Sequence, residues 1–454
     1  MSIAPLQVPW ATQPLADETS RALGEPDWLM AERRDALARL VDLPAEPNQL
    51  FTPYHDLRAV DFGAIEPYGP NGEDDVDATV ALPAGAAALL HVREGRIAAR
   101  VLGPEATAAG IVITTLAEAA RERPELVRAS LEGGGSLPAD DAFAQVARSL
   151  ASLGIVIHVP DGVTLEKPIV VRWNLGKPGH ALVSRTIVTL GRDAHALIFE
   201  EQLEASHAAA DGAAEATRKA TSLWSGTTEI DLGEGATLDF AGEQDFGPST
   251  AAFVTRQART GKDATISWAI ASVGARMFRS RIENLLDGRG SSVRQVEIGF
   301  GDGSQLFDLT SYTRHRGEDT TSDLLSKGVF TGRSRGYIKG LIEIARSARG
   351  TDTFLGEHSM LLERSARSVT IPSLEIDQPD VRRAMHSSSV GPIDEQQVFY
   401  LMSRGLSRDA ARKAIVLGFL EPVVARIPLA AAQDRLRGLL ERKWPERAPD
   451  EAAA

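Results

Sequence analysis

No cysteine occurs among the 454 residues, which removes disulfides, thiolate metal sites and a cysteine nucleophile in one step. An uninterrupted apolar run of about 18 residues is also lacking, so no spanning helix is expected and no membrane partner. Positive charge is in deficit, with 49 Lys and Arg against 62 Asp and Glu for a net charge of −13. A body of that sign repels phosphate backbones, and no local basic patch offsets it, so nucleic acid is not an expected partner. Residues 1–10 show no charged stretch leading into an apolar one, which points away from a secretory signal and towards a soluble, cytoplasmic protein. The motif Gly-x-x-x-x-Gly-Lys-Ser/Thr is missing: Gly261-Lys262 lacks the upstream glycine and is followed by Asp263. A Rossmann fingerprint, His-Glu-x-x-His and Gly-x-Ser-x-Gly are missing too, and the 9 histidines are widely spread. The chain therefore reads as no enzyme on its own, with no nucleotide site.

What is present suits a folded protein with a sizeable core: 43% hydrophobic and 24% charged residues. The length allows about three domains at ~150 residues each. Residues 15–43 read as a helix, with Leu23, Trp28, Leu29, Leu37 and Leu40 near one face and Pro44 and Pro47 ending it. Asn71-Gly72-Glu73-Asp74-Asp75 then reads as a loop, closing an N-terminal segment over 1–75. Residues 76–376 differ. Short β-branched runs such as Ile155-Val156-Ile157-His158-Val159 and Thr186-Ile187-Val188-Thr189-Leu190 alternate with turns. A turn-then-strand motif starts at Gly191, Gly233, Gly261 and Gly288, in steps of 42, 28 and 27 residues, and ends on Leu197, Leu238, Ile266 and Val293. Near-equal steps suggest the rungs of a parallel β-helix, with glycine supplying positive φ at each corner and the closing apolar residue pointing inward. A β-sandwich is the alternative. Ala-rich stretches at 108–131 and 139–153 read as helices capping the first rung. Residues 377–454 return to helix. Glu395, Val398, Phe399, Leu401 and Met402 precede the stop at Arg404-Gly405, and Ser407 caps a second helix carrying Ala411, Ile415, Val416 and Phe419. A third helix runs from Pro428 towards Trp444, before a frayed tail at 445–454.

Polar residues able to do chemistry concentrate between Arg314 and Arg404: His315-Arg-Gly317, Ser322-Asp323, Lys327-Gly328, Thr351-Asp352, Pro372-Ser-Leu-Glu375 and His386. Such a series can line one face of stacked strands. Singly, Asp323 and Thr351 also read as turn residues and Lys327 as a solvated charge. His386 stands apart, because imidazole is the one strong ligand for borderline metals left to a chain without thiols. A β-helix carbohydrate-active enzyme, using Asp323 with Glu343 or Asp352 as acid and base, is a reading of a different class.

The same residues carry a resemblance. Pro372-Ser-Leu-Glu-Ile376, Pro379-Asp-Val381, His386, Val390-Gly391, Asp394-Glu395 and Phe399-Tyr-Leu-Met-Ser-Arg-Gly405 together resemble the SufB/SufD family of iron–sulfur cluster assembly proteins. His315-Arg-Gly, Ser322-Asp, Lys327-Gly-Val and Thr351-Asp fit the same family in the same order, and Gly24-Glu-Pro-Asp-Trp-Leu29 is similar to its N-terminal helix start. The resemblance implies a mainly β fold, a central right-handed parallel β-helix flanked by helical segments. It also implies a SufB partner joined through the β-helices and a SufC ATPase docked on the C-terminal helices, which would supply the nucleotide site in trans. The scaffold cysteine of SufB falls at Glu357, and its glutamate after the histidine falls at Ser387, so the chain resembles SufD more than SufB. Many SufD proteins have a cysteine where Ala384 stands, and one extra residue lies between Val381 and His386. By this resemblance His386 is the candidate iron or cluster ligand, for a transient cluster at the SufB–SufD interface. Glu357 is a secondary candidate, and Asp394, Glu395, Phe399, Tyr400 and Arg404 fall in the SufC-docking region. Phe399, Tyr400, Met402 and Phe419 also read as core residues. A SufB-like homodimeric scaffold, or a homodimer in isolation, is the alternative within the family.

Overall fold

A computed structural model describes residues 4–70, 80–131, 136–204, 220–427 and 430–444. The 71–75 loop, the Pro428 start of the last helix and the 445–454 tail lie outside the described residues. Successive strands alternate between two sheets, and each main strand pairs in parallel with the strand two further along. Leu306–His315, for example, pairs with Met277–Leu286 and Arg335–Ile344, while the intervening Ser292–Gly301 pairs with Thr265–Ser272 and Thr321–Phe330. That connectivity is a parallel β-solenoid of about 8 turns, not a sandwich. Side chains alternate along each strand. One set fills the lumen between the sheets, where Trp173, Trp268, Phe278, Phe307 and Leu355 belong to one continuous apolar cluster. The solenoid also runs past residue 376, because Arg383–Pro392 is a further strand of the second sheet.

The corners correct the expected use of glycine. Gly191, Gly233, Gly261 and Gly288 are not the positive-φ residues. That conformation falls two positions later, at Asp193 (φ 53), Gly235 (φ 70), Asp263 (φ 56) and Gly290 (φ 73), then at Asp319 (φ 56) and Gly350 (φ 73). The earlier glycines are required by close stacking of turns: a Cβ on Gly288 would lie 2.1 Å from the Gly261 carbonyl carbon. Aspartate and glycine alternate along the left-handed column for a related reason. Each aspartate carboxylate folds over the next turn, where a Cβ on Gly235 or Gly290 would come within 2.2 Å of Asp193 or Asp263 Oδ1. Asp tolerates this backbone better than other non-glycine residues. The inward residue of the first motif is Ala196, in register with Leu238, and not Leu197. Gly288→Ala is expected to destabilise by about 1–3 kcal/mol through overpacking, whereas an alanine at Gly69, which has no neighbour within 4 Å and no positive φ, is expected to change stability little. Chemical denaturation of the two variants tests the difference.

The N-terminal helix divides. Helix α1 (Gln13–Ala22) ends before Gly24 at φ 64, and α2 (Asp27–Leu40) starts after Pro26. Leu29, Leu37 and Leu40 are buried as expected, while Leu23 is half-buried in the break. The 108–131 stretch is likewise not one helix. It comprises the end of α3 (Pro104–Ala108), a strand Val112–Thr115, α4 (Leu116–Glu122) and α5 (Arg128–Leu131). Antiparallel strands, not helices, close the first rung: Val112–Thr115 on Leu153–Val159, and Arg96–Leu102 on Ala88–Arg93. Helix α6 (Ala142–Leu150) lies instead on the outer face of the first sheet, with Phe143 stacked on Phe253 at 4.1 Å and α2 packed over it. Arg33 of α2 pairs with Glu25 and donates to the Ser149 and Ala151 carbonyls at the C-terminus of α6.

Helices α7 (Glu395–Ser403), α8 (Arg408–Val424) and α9 (Ala430–Arg442) flank the second sheet. Val416, Leu420, Val423 and Leu436 join a cluster with Ala269, Val296, Ile298 and Val329 of that sheet. Arg435 clamps Glu243 (2.8 Å) and Glu201 (2.6 Å), and Lys443 donates to the Phe300 carbonyl at 2.9 Å. The layers run helices, sheet, lumen, sheet, helices. Among the described residues no helix is long and apolar enough to cross a membrane.

Candidate functional site

The covering helices leave one end of the solenoid bare. Arg367–Ile376 ends the first sheet and Arg383–Pro392 ends the second, each paired on one side only. Their outer edges present free backbone donors and acceptors, together with exposed Ile376, Met385 and Val390. Such edges are normally covered or paired with another chain.

His386 sits on this last strand of the second sheet, in register with buried Leu355. Registered neighbours on parallel strands point the same way, so His386 faces the lumen, at its mouth, and is solvent-exposed because no rung covers it. Ser388 shares that face and is in register with Glu357. Glu357 is 1% exposed and its carboxyl has no side-chain hydrogen-bond partner. Burial pushes its carboxyl up to about 8, only partly opposed by the Ile371 backbone N–H. The side chain fills the space left by Gly340 on the opposite sheet, where a Cβ would lie 2.6 Å from Oε1. The two candidate ligands therefore share the lumen end, one strand and two residues apart.

The other members of the polar series do not share one face. His315, Ser322 and Thr351 are buried; His315 binds Thr320 Oγ1 (2.8 Å) and Ser322 Oγ (3.0 Å), and burial pushes its imidazole down to about 4. It is a neutral structural histidine. Asp323, Lys327 and Asp352 project from the outer face of the second sheet, Asp352 held by Arg383 at 2.7 Å. Glu343 and Glu375 are registered together on the outer face of the first sheet. Asp323 and Glu343 thus lie on opposite sides of the core, and Asp352 is tied up by arginine, so the acid–base pairs of a carbohydrate-active enzyme are not assembled. Among the described residues no group of three or more His, Asp or Glu is placed to hold a metal.

The expectation that Phe399, Tyr400 and Met402 are core is overturned. Helix α7 buries Val398 alone, leaving Phe399 73% and Tyr400 56% exposed beside Met402 and Leu406. Asp394 caps the helix by accepting from the Gln396 N–H at 2.8 Å, Glu395 pairs with Arg408, and the Arg404 guanidinium lies 5.3 Å from the Tyr400 ring centroid. Phe419 is half-buried. Its ring lies 4.5 Å from Lys327 Nζ, which also donates to the Phe419 carbonyl at 3.0 Å.

Sequence comparison decides the family. Residues 173–419 match the family model described as "SUF system FeS cluster assembly, SufBD core domain", and residues 86–171 match "SufBD protein N-terminal region". The chain belongs to the SufBD family. It is thus an iron–sulfur cluster assembly protein of the SUF system. Bacillus subtilis SufB is 24% identical over 445 residues, covering 94% of this chain and 91% of that protein. Bacillus subtilis SufD is 25% identical over 429 residues, covering 92% and 94%. A Staphylococcus epidermidis SufBD family protein is 24% identical over 444 residues, covering 94% and 91%. Overall identity is shared evenly between SufB and SufD relatives, so only particular residues can distinguish the two roles. The SufBD core match runs from within the strand Ile169–Leu175 along the solenoid to the bare end, α7 and most of α8.

Sequence reasoning missed Glu297 and Ser326, which line the same lumen. The signal was available in Gln295-Val-Glu-Ile-Gly299, where the polar residues occupy the inward alternation, but only the strand register shows which way the alternation faces.

Proposed function

We propose that this chain is the cysteine-free, SufD-like half of a SufB–SufD pair. It joins a cysteine-bearing SufB-like partner through the bare solenoid end and docks a SufC-like ATPase on α7. His386 donates an imidazole nitrogen to the cluster assembling at that junction, with the remaining ligands, sulfur included, coming from the partner. The observation that carries this reading is the pair of one-sided end strands with His386 facing the lumen between them. A carboxyl at position 357 can bind iron but cannot accept a persulfide, which favours the SufD-like role over a homodimeric scaffold.

Docking on α7 is supported by the exposure of Phe399, Tyr400, Met402 and Leu406 on one short segment, with Arg404 beside Tyr400 and the Glu395–Arg408 pair on the same segment. Exposed aromatics of this kind are common binding hot spots. Phe399→Asp with Tyr400→Asp is expected to weaken capture of the P-loop ATPase at least about tenfold. Stability should stay within about 0.5 kcal/mol, since both side chains are exposed. Co-purification of the tagged full chain from native lysate under anaerobic conditions tests this. Undiminished ATPase recovery with the double variant contradicts docking on α7, and recovery of the chain alone or as a homodimer contradicts the pair.

A further inference from the structure

A cleft of about 1250 Å³ opens where the N-terminal strap crosses one corner of the solenoid. Strap residues 56–59 form one wall. The other is a stack of successive turns, in which the Arg333 N–H donates to the Gly303 carbonyl at 2.7 Å and Ser365 Oγ to the Gly332 carbonyl at 2.5 Å. Gly303 and Gly332 turn these corners at positive φ (51 and 61), and even a Cβ on Gly303 would meet nothing within 4 Å. This wall is open backbone and short side chains, which a ligand can approach closely.

Four arginines line the cleft, Arg58, Arg276, Arg333 and Arg335, in a chain of net charge −13. They come from three separate segments, so no run of sequence shows them as a basic patch. The three lining carboxylates are already engaged. Asp56 is shared by two guanidinium groups, Arg58 at 2.5 Å and Arg335 at 3.7 Å; Asp302 pairs with Lys443 at 3.3 Å; Glu363 accepts from the Gly332 N–H at 3.2 Å. Arg276 is anchored on the Ser304 carbonyl at 3.0 Å. Arg333 is exposed and forms no ion pair with a described residue. Positive charge is left over on planar forks, which hold phosphate through paired, charge-assisted hydrogen bonds.

The spacing suits more than one phosphate. Leu306 is in register with both Met277 and Arg335, so Arg276 and Arg335 stand at strand starts two rungs apart, about 10 Å along the axis. Cationic positions spread over that length match linked phosphates better than a single one. Ala59, Pro248 and Leu306 add an apolar lining, which suits the organic body of a diphosphate ester.

We propose that this cleft binds a small organic molecule bearing a diphosphate, held by Arg58, Arg276, Arg333 and Arg335 with its organic part against Ala59, Pro248 and Leu306. The site uses neither His386 nor α7, so it goes beyond the cluster-assembly reading and does not rest on it. Binding is noncovalent and breaks no bond.

The full chain, free of divalent metal, is titrated by calorimetry with pyrophosphate and, separately, with ADP as the organic probe. The cleft variant is Arg58→Gln with Arg333→Gln. Both side chains are exposed and Asp56 keeps Arg335, so the fold is expected to hold, which thermal unfolding checks. The control, Arg294→Gln with Arg426→Gln, removes the same charge from exposed positions outside the cleft. The expected results are one site per chain, binding at least about tenfold weaker in the cleft variant, and wild-type binding in the control. ADP binding at least as tight as that of pyrophosphate supports an ester-borne diphosphate; binding of pyrophosphate alone overturns the organic part of the assignment. No binding of either probe, no loss in the cleft variant, or equal loss in both variants overturns the site. These outcomes leave pairing at the bare end untouched, because the titration contains no partner.

Discussion

Lys339→Ala is expected to lower the unfolding free energy by about 3–5 kcal/mol, the range for removing one member of a buried ion pair. Lys339 is 0% exposed on the outer side of the first sheet, with Nζ 2.8 Å from Asp308 and 3.2 Å from Glu46. Glu46 lies just after α2, and the Phe51 ring centroid is 5.5 Å from Nζ, so this lysine fastens the N-terminal strap to the solenoid. Its loss leaves two carboxylates buried without a cation. Burial alone would push the Asp308 carboxyl up, but Lys339 and then His55 more than offset it and hold it below the usual carboxylate range. The sign of the pH effect follows: this contribution is present above the ordinary value of 3.8 and is lost as pH falls through the depressed one. Replacing all three groups together, Lys339→Met, Glu46→Gln and Asp308→Asn, should cost far less than Lys339→Ala alone. Denaturant melts of the two proteins, with protease sensitivity of the strap, make the comparison. A single variant as stable as the wild type would contradict the fastening role.

Glu357→Gln is expected to do the opposite and stabilise the bare end, on the order of 3–5 kcal/mol at pH 8. The folded carboxyl titrates at about 8 and the free one at 4.5. The unfolded chain therefore releases its proton first. Stability is full below 4.5, declines as pH rises towards about 8 and is level above that. Glutamine keeps the shape and removes the slope. Solenoid ends open separately from the middle, so the effect belongs to the last rungs and is best read by pulse proteolysis across the pH range. If the wild type and Glu357→Gln resist the protease equally at pH 6 and pH 8, burial does not raise this carboxyl.

Much of this fold was legible from local chemistry. The 27- and 28-residue steps between corner motifs identified the solenoid, because each rung must repeat its turn to stack on the last. Residues 15–43 read as one helix from their apolar spacing, whereas Gly24 at positive φ followed by Pro26 ends α1 and starts α2, the helix start that Gly24-Glu-Pro-Asp-Trp-Leu29 resembles. What failed was anything dependent on which layer a residue joins. Phe399 and Tyr400 have the spacing of a buried stripe, but only the tertiary arrangement leaves α7 without a neighbour on that side. Asp323 and Glu343 lie close in sequence and on opposite outer faces, because a strand pair turns through a corner between them. His386 and Glu357 were found by resemblance, and their shared lumen by the register of Arg383–Pro392 on Asp352–Leu361. Glu297 needed the register of two further strands, which no local pattern supplies.

The central claim is that His386 acts at a junction completed by a second chain. Its most direct test is anaerobic cluster reconstitution on the co-purified complex, comparing wild type with His386→Ala for both subunit composition and iron–sulfur content. The account predicts that the variant recovers the same subunits, because His386 is exposed and holds no rung together. Cluster content should fall at least about tenfold, since losing even an outer-shell partner of a metal costs that much. Equal cluster content in an intact complex would contradict the ligand role.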